Sequence, residues 1–188
     1  MKNVYEICPK FETEKWLLRL VEKEDAKDLL EVYSDKRALP YFNSDNCDGD
    51  NFYYPTIERM ERALDFWLYS YEYKWFVRWA IIDKSTSKAV GTIEMFHRPA
   101  KGEFGEVGVI RLDLGSAYEK TETIKEILSI IIPPSLELFD CREVISKVPL
   151  YAVDRAEAFK SFGFISTTKL LIGNDGYGYN GYWTYIAK

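Results

Sequence analysis

The order of apolar patterns along this chain predicts an α/β domain built on a mixed sheet. Two segments with helical periodicity come first, three strands then follow with only turns between them, and a helix joins the third strand to another. That last link is too long for a hairpin and makes a parallel crossover. The chain has 188 residues, 47% of them hydrophobic, and is read as one domain over 1–188 with a sizeable core.

The elements follow in order. WLLRLV at 16–21 is a short strand. Beyond it Ala26, Leu29, Leu30 and Tyr33 fall at i, i+3, i+4 and i+7, the stripe of an amphipathic helix. The polar stretch 44–51 is a loop. Pro55 and Thr56 open a second helix that places Ile57, Met60, Leu64, Trp67, Leu68 and Tyr71 on one face. The period then changes to two. WFVRWAII at 75–82 and AVGTIEMFH at 89–97 form a hairpin about DKSTSK, and RPAKG returns the chain into FGEVGVIRLDL at 104–114. In the next helix Ile124, Ile127, Leu128 and Ile131 share a face until Pro133 and Pro134, which must kink or break it before SLELF resumes. EVISKV at 143–148 is a strand. Asp154 and Glu157 have capping-box spacing, and Gly163 stands where a helix stops. FISTTKLLI, an NDG turn and YWTYIA complete the sheet.

Composition narrows the function. A net charge of −5 and a pI near 5.1 argue against nucleic acid as a partner, whose binding surface would be basic. No apolar run is long enough to span a membrane. The start MKNVYEICPKFETEKW lacks a signal-peptide core, so a cytoplasmic location is expected. Cys8, Cys47 and Cys141 are odd in number and widely spaced, as reduced thiols would be. His97 is the only histidine, which rules out a multi-histidine metal site, and it reads as an exposed strand end rather than a base. In NSDNCDGDN, setting Gly49 at the sixth position of a calcium loop puts Pro55 at the twelfth, where a bidentate glutamate is needed, so no metal is expected there. GNDGYGYNGY reads as a hairpin tip. Aromatic residues crowd 41–79; packing accounts for most rings, with a recognition pocket as the alternative.

Three phrases carry a family resemblance. VGTIEMFHR at 90–98 followed by GEVGVIRLDL at 105–114, then AEAFKSFGFIST at 156–167, and the opening LRLVEKEDAKDLLEVYSD at 18–35 together resemble the GNAT acetyltransferase superfamily, in particular its ribosomal-protein N-acetyltransferase-like branch. The resemblance implies a mixed, mostly antiparallel sheet of about seven strands with helices on both faces, whose fourth and fifth strands splay apart. It implies acetyl-CoA as co-substrate. The pantetheine arm would lie along the backbone of Val109, Ile110 and Leu112. The pyrophosphate would rest on amides near Ala117, Lys120 and Thr121, where the next helix begins. Glycines normally line that turn so that backbone can approach the phosphate. Here the two positions fall on Ala117 and Glu119 in one register and on Ser116 and Tyr118 in the other, with only Gly115 nearby.

Glu106 matches the family's strand-four glutamate and is the candidate general base, beside Gly108, where backbone would approach substrate. An amide near Val109 or Ile110 would hold the oxyanion. Phe159 stands where the family has the tyrosine that protonates the leaving thiolate, and Ala152 where it has an asparagine; Tyr151 or Tyr118 are the available substitutes. Two readings follow. One is an N-acetyltransferase, monomer or homodimer, acting on a protein N-terminus or a small amine that the aromatic segment attracts by cation–π contacts. The other is a non-catalytic protein of the same fold that uses the aromatic cleft for a ligand.

Overall fold

The computed structural model describes residues 4–186. Strands β1 (Phe11–Glu12) and β2 (Trp16–Leu20) lead into helices α1 (Ala26–Tyr33) and α2 (Ile57–Glu72). Strands β3 (Val77–Asp83), β4 (Lys88–Arg98) and β5 (Val107–Leu114) form the meander, and α3 (Thr121–Leu138) crosses to β6 (Glu143–Lys147). Helix α4 (Val153–Phe162) precedes β7 (Ile165–Ser166), β8 (Leu171–Ile172), β9 (Gly178–Tyr179) and β10 (Tyr182–Ile186). Eight strands make one sheet in the order β1-β2-β3-β4-β5-β6-β10-β7, and β8 pairs only with β9. Within the large sheet only β5 and β6 run parallel.

The strand alternation of the meander sorts two cores onto opposite faces. Trp79, Ile81, Ile93, Ile110 and Leu112 pack with Ile124, Ile127, Leu128 and Phe159 under α3 and α4. Ala80, Ile82 and Val21 pack with Leu29, Tyr33, Met60, Leu64 and Trp67 under α1 and α2. Thr56 caps α2, its hydroxyl accepting from the Arg59 amide at 3.3 Å. Gly163 ends α4 at φ +109°, a left-handed conformation suited to glycine.

Several boundaries differ from the sequence expectation. The third meander strand begins at Val107 rather than 104, because Lys101 and Phe104 first close a turn of their own. The strand expected over FISTTKLLI divides into β7 and β8. Between them the Lys169 amide turns to Thr167 Oγ1 and the Leu170 amide to the Glu103 carboxylate, so local side chains replace a ladder. Helix α3 is not broken at Pro133 and Pro134. The carbonyls deprived of donors belong to exposed Ser129 and half-buried Ile130, within reach of water, while Ile131, Ile132 and Ser135 continue the buried face. No capping box forms on Asp154: Ala152 stands at the N-cap position of α4 without a side-chain cap, and the Asp154 carboxylate reaches α3 instead.

Candidate functional site

Each of the three meander strands carries one charged residue that falls in a single cross-strand row. The register sets Arg78 of β3 opposite Glu94 of β4, and Glu94 opposite Arg111 of β5. Glu94 Oε2 accepts from Arg78 Nη2, and its Oε1 accepts from Arg111 Nη1 at 2.7 Å. Arg78 Nη1 also donates to Asp113 Oδ2 at 3.1 Å, Thr92 Oγ1 at 2.9 Å and Tyr33 Oη at 3.0 Å. Burial pushes the Glu94 carboxyl up, but the two guanidiniums outweigh it and hold Glu94 below the usual glutamate range. For Asp113 burial prevails over the Arg78 charge and raises its pKa.

This ladder floors a cavity of about 620 Å³. Phe52, Tyr54, Trp67, Phe76 and Phe96 form its walls, and half-exposed Phe66 and Trp75 form its rim. Asn46, Asp48 and an Arg59–Asp50 ion pair at 2.6 Å stand at its mouth. The Nε atoms of Arg78 and Arg111 are buried without a hydrogen-bond partner, although both residues line the cavity. Burial pushes the Cys47 thiol up to about 11, so it is a protonated wall group rather than a nucleophile.

Beside the cavity, β5 and β6 part. Their pairing covers Gly108 to Ile110 against Val144 to Ser146, and at its end the Ser146 hydroxyl donates to the Ile110 carbonyl at 3.0 Å. Beyond it, polar contacts within the chain gather about the ends of the two strands. Asp45, from the α1–α2 loop, accepts Lys147 Nζ of β6 on its carboxylate at 2.6 Å and Arg111 Nη2 of β5 on its carbonyl at 2.8 Å. Arg155 of α4 donates Nε and Nη2 to Glu119 at 2.6 and 2.8 Å, and Nη1 to the Tyr41 carbonyl at 3.1 Å. The Arg155 and Glu119 side chains are 1% and 5% exposed.

In the turn from Gly115 to Thr121 several donors are engaged within the chain. The Ser116 amide and hydroxyl donate to Asp35 at 3.3 and 2.5 Å. The Tyr118 amide donates to the Gly115 carbonyl and the Lys120 amide to the Tyr118 carbonyl, both at 2.8 Å. Thr121 gives its amide and hydroxyl to Asp154 Oδ1 at 3.3 and 2.7 Å. Asp154 thus takes the place of an external anion at the N-terminus of α3, which favours negative charge. Three carboxylates, Asp35, Glu119 and Asp154, surround a turn that would have to accept a pyrophosphate. In this arrangement the turn does not fit that group.

The remaining sequence candidates disperse. Glu106 is exposed ahead of β5 and does not line the cavity. Gly108 leaves room for Met95 and Cys141: a Cβ there would lie 2.6 Å from Met95 Cε and 2.9 Å from Cys141 Sγ, so its close approach is to the core and not to a substrate. Val109 and Ile110 are paired on both sides, whereas Leu112 is paired with β4 alone. Ala117 and Lys120 are exposed. Tyr118 points to Asp83, its hydroxyl donating at 3.1 Å, and Tyr151 donates to the Pro40 carbonyl. Phe159 is buried against Phe164. Sequence reasoning missed Arg78, Glu94 and Arg111. Their signal was a charged residue flanked by apolar ones in each of three successive strands. Among the described residues no group of three His, Cys, Asp or Glu is placed to hold a metal ion, and no helix is long and apolar enough to cross a membrane.

No family model and no curated protein matches the sequence. Solved structures do match in shape. A GNAT-family acetyltransferase from Bacillus anthracis is 14% identical with a TM-score of 0.67, over 95% of this chain and 98% of its own. Ribosomal-protein-S5-alanine acetyltransferase from Vibrio fischeri is 17% identical with a TM-score of 0.69, over 95% and 96%. RimL, a ribosomal L7/L12 α-N-protein acetyltransferase solved with coenzyme A, is 10% identical with a TM-score of 0.68, over 95% and 98%. The chain has the GNAT fold.

Proposed function

We propose that this chain is a small-molecule-binding protein on the GNAT fold, with its ligand in the cavity above Arg78, Glu94 and Arg111. One contrast carries the reading. The cavity, about 620 Å³, is open, with aromatic walls over a floor of two arginines and a glutamate, while beyond the last β5–β6 pair Asp45 spans the two strands by bonds to Arg111 and Lys147. Its size and its mixture of aromatic walls with a few fixed polar groups are those of ligand sites. Saturation-transfer NMR with small aromatic fragments tests it, using Ala63→Phe to fill the cavity from α2. Fragments are expected to bind the wild type and not the variant. Equal binding to both overturns the reading.

A second reading is favoured by the position of Arg111. It is the first β5 residue past the last pair with β6, and it also lines the cavity. The strand opening and the cavity therefore adjoin. An acyl group delivered through the opening would meet an acceptor held in the cavity, either a small amine or a protein N-terminus, in a protein expected to be cytoplasmic. This requires Glu119 to leave Arg155. Calorimetric titration with acetyl-CoA, with CoA in parallel, decides between the two: micromolar binding supports acyl transfer, and no heat at millimolar ligand removes it.

A further inference from the structure

The charges that line the cavity are answered within the chain. Arg59, Arg78 and Arg111 stand against Asp48, Asp50 and Glu94, so acids and bases balance. Each terminal nitrogen of the floor's guanidiniums has an acceptor. Arg78 Nη2 and Arg111 Nη1 take the two oxygens of Glu94, Arg78 Nη1 donates to Asp113, and Arg111 Nη2 to the Asp45 carbonyl. Their Nε atoms are buried out of a ligand's reach. At the mouth Asp50 is held by Arg59 and by the Tyr54 hydroxyl at 2.6 and 3.0 Å, and Asp48 is exposed to water. A carboxylate entering the cavity would have to displace Glu94 from its arginines or stay without a partner, and an unpartnered charge taken out of water is costly. An ammonium fares no better. Guanidiniums already lie 4.2 Å from the centroid of Trp67, 4.2 Å from that of Tyr54 and 5.3 Å from that of Phe96, so a cation drawn to these rings would meet a like charge at each. What the cavity offers without such conflict is its aromatic surface, with the uncharged carboxamides of Asn46 and Asn174 at the mouth.

We infer that the cavity takes an uncharged planar aromatic molecule and discriminates against acids and amines built on the same body. This rests on the cavity being the ligand site. Calorimetry with 2-naphthamide, 2-naphthoate and 2-naphthylmethylamine compares three head groups on one flat body, with the charge held at the ring or one carbon from it. The amide is expected to bind, and the acid and the amine to bind at least about tenfold more weakly. In 15N spectra the indole N–H signal of Trp67, whose ring lines the cavity, is expected to shift with the amide, a readout that needs no variant. If the acid or the amine binds as tightly as the amide and moves the Trp67 signal, the inference is overturned while the cavity stands as the ligand site. If the amide binds with the Trp67 signal unmoved, or binds Ala63→Phe as it binds the wild type, the ligand lies elsewhere and the cavity reading falls with the inference. If none of the three compounds binds, both fail.

Discussion

The Arg155 guanidinium meets the Glu119 carboxylate through two parallel hydrogen bonds, Nε to Oε1 at 2.6 Å and Nη2 to Oε2 at 2.8 Å. Both side chains are buried, so removal of either leaves a charge stranded. Glu119→Ala is expected to lower the unfolding free energy by about 3–5 kcal/mol, measured by urea titration. Arg155→Met with Glu119→Leu is expected to cost less than the two single losses added together. A cost below about 1 kcal/mol for Glu119→Ala would mean that solvent screens the pair.

Asp35 holds the start of the Gly115–Thr121 turn. Burial raises its carboxyl, but the Ser116 hydroxyl, the Arg37 amide and guanidinium and the Ser116 amide more than offset this, leaving it at about 2 against an ordinary 3.8. Because the folded pKa is the lower one, its stabilisation is full above the ordinary value and is lost as pH falls through about 2. At about 1.4 kcal/mol per pH unit this is at most about 2 kcal/mol, and solvent screening at the surface brings it to about 1 kcal/mol. Asp35→Asn is therefore expected to be less stable than the wild type at pH 6 by that order, with the gap closing towards pH 2. A gap that stays constant over this range would remove the ionic basis of the argument.

Asp154 occupies the N-terminus of α3 from a different helix. Asp154→Ala frees the Thr121 amide and should cost about 1 kcal/mol in thermal or urea unfolding. It also removes one of three carboxylates around the turn. Combined with Glu119→Gly, it is expected to raise the affinity for inorganic pyrophosphate over that of the wild type, read by calorimetry. No gain would show that the turn's backbone, and not its acidic side chains, refuses the anion.

Gly91 in β4 lies against the neighbouring backbone of β5. A Cβ there would be 2.3 Å from the Asp113 carbonyl oxygen and 3.0 Å from Leu114 Cα, and neither can swing away as a side-chain tip would. Gly91→Ala is expected to destabilise by about 1–3 kcal/mol or more. At Gly105, where nothing lies within 4 Å, the same change should stay within about 0.5 kcal/mol. Melting temperatures of the two variants check the contrast.

The strand order was legible because it rests on local periodicity. Alternating apolar residues mark β3, β4 and β5, and the long helical segment after β5 forces the parallel crossover to β6. The Glu119–Arg155 pair was not legible in the same way. Glu119 and Arg155 are 36 positions apart, in a turn and a helix with no pattern that couples them, and Asp154 has local spacing that suggests a cap it does not form. The replacement of glycine by Glu119 could be read from the sequence, but not the partner that buries it. The ladder lies between these cases. Once the meander is drawn, Arg78, Glu94 and Arg111 can be counted into one row, yet a charge in a strand reads by itself as a solvated edge.

That row also bears on how this sequence can change over generations. Arg78 and Glu94 are both almost fully buried and each relies on the other, while Glu94 divides its two oxygens between Arg78 and Arg111. A single codon change to an apolar residue at any of the three leaves a buried charge unanswered, at about 3–5 kcal/mol, a large fraction of what a domain of ordinary stability has to lose. The way out is a compensated set of replacements, arriving together or carried through a spell of excess stability. The ladder is therefore inherited as one character rather than three, and descendants of this chain should keep all of it or none.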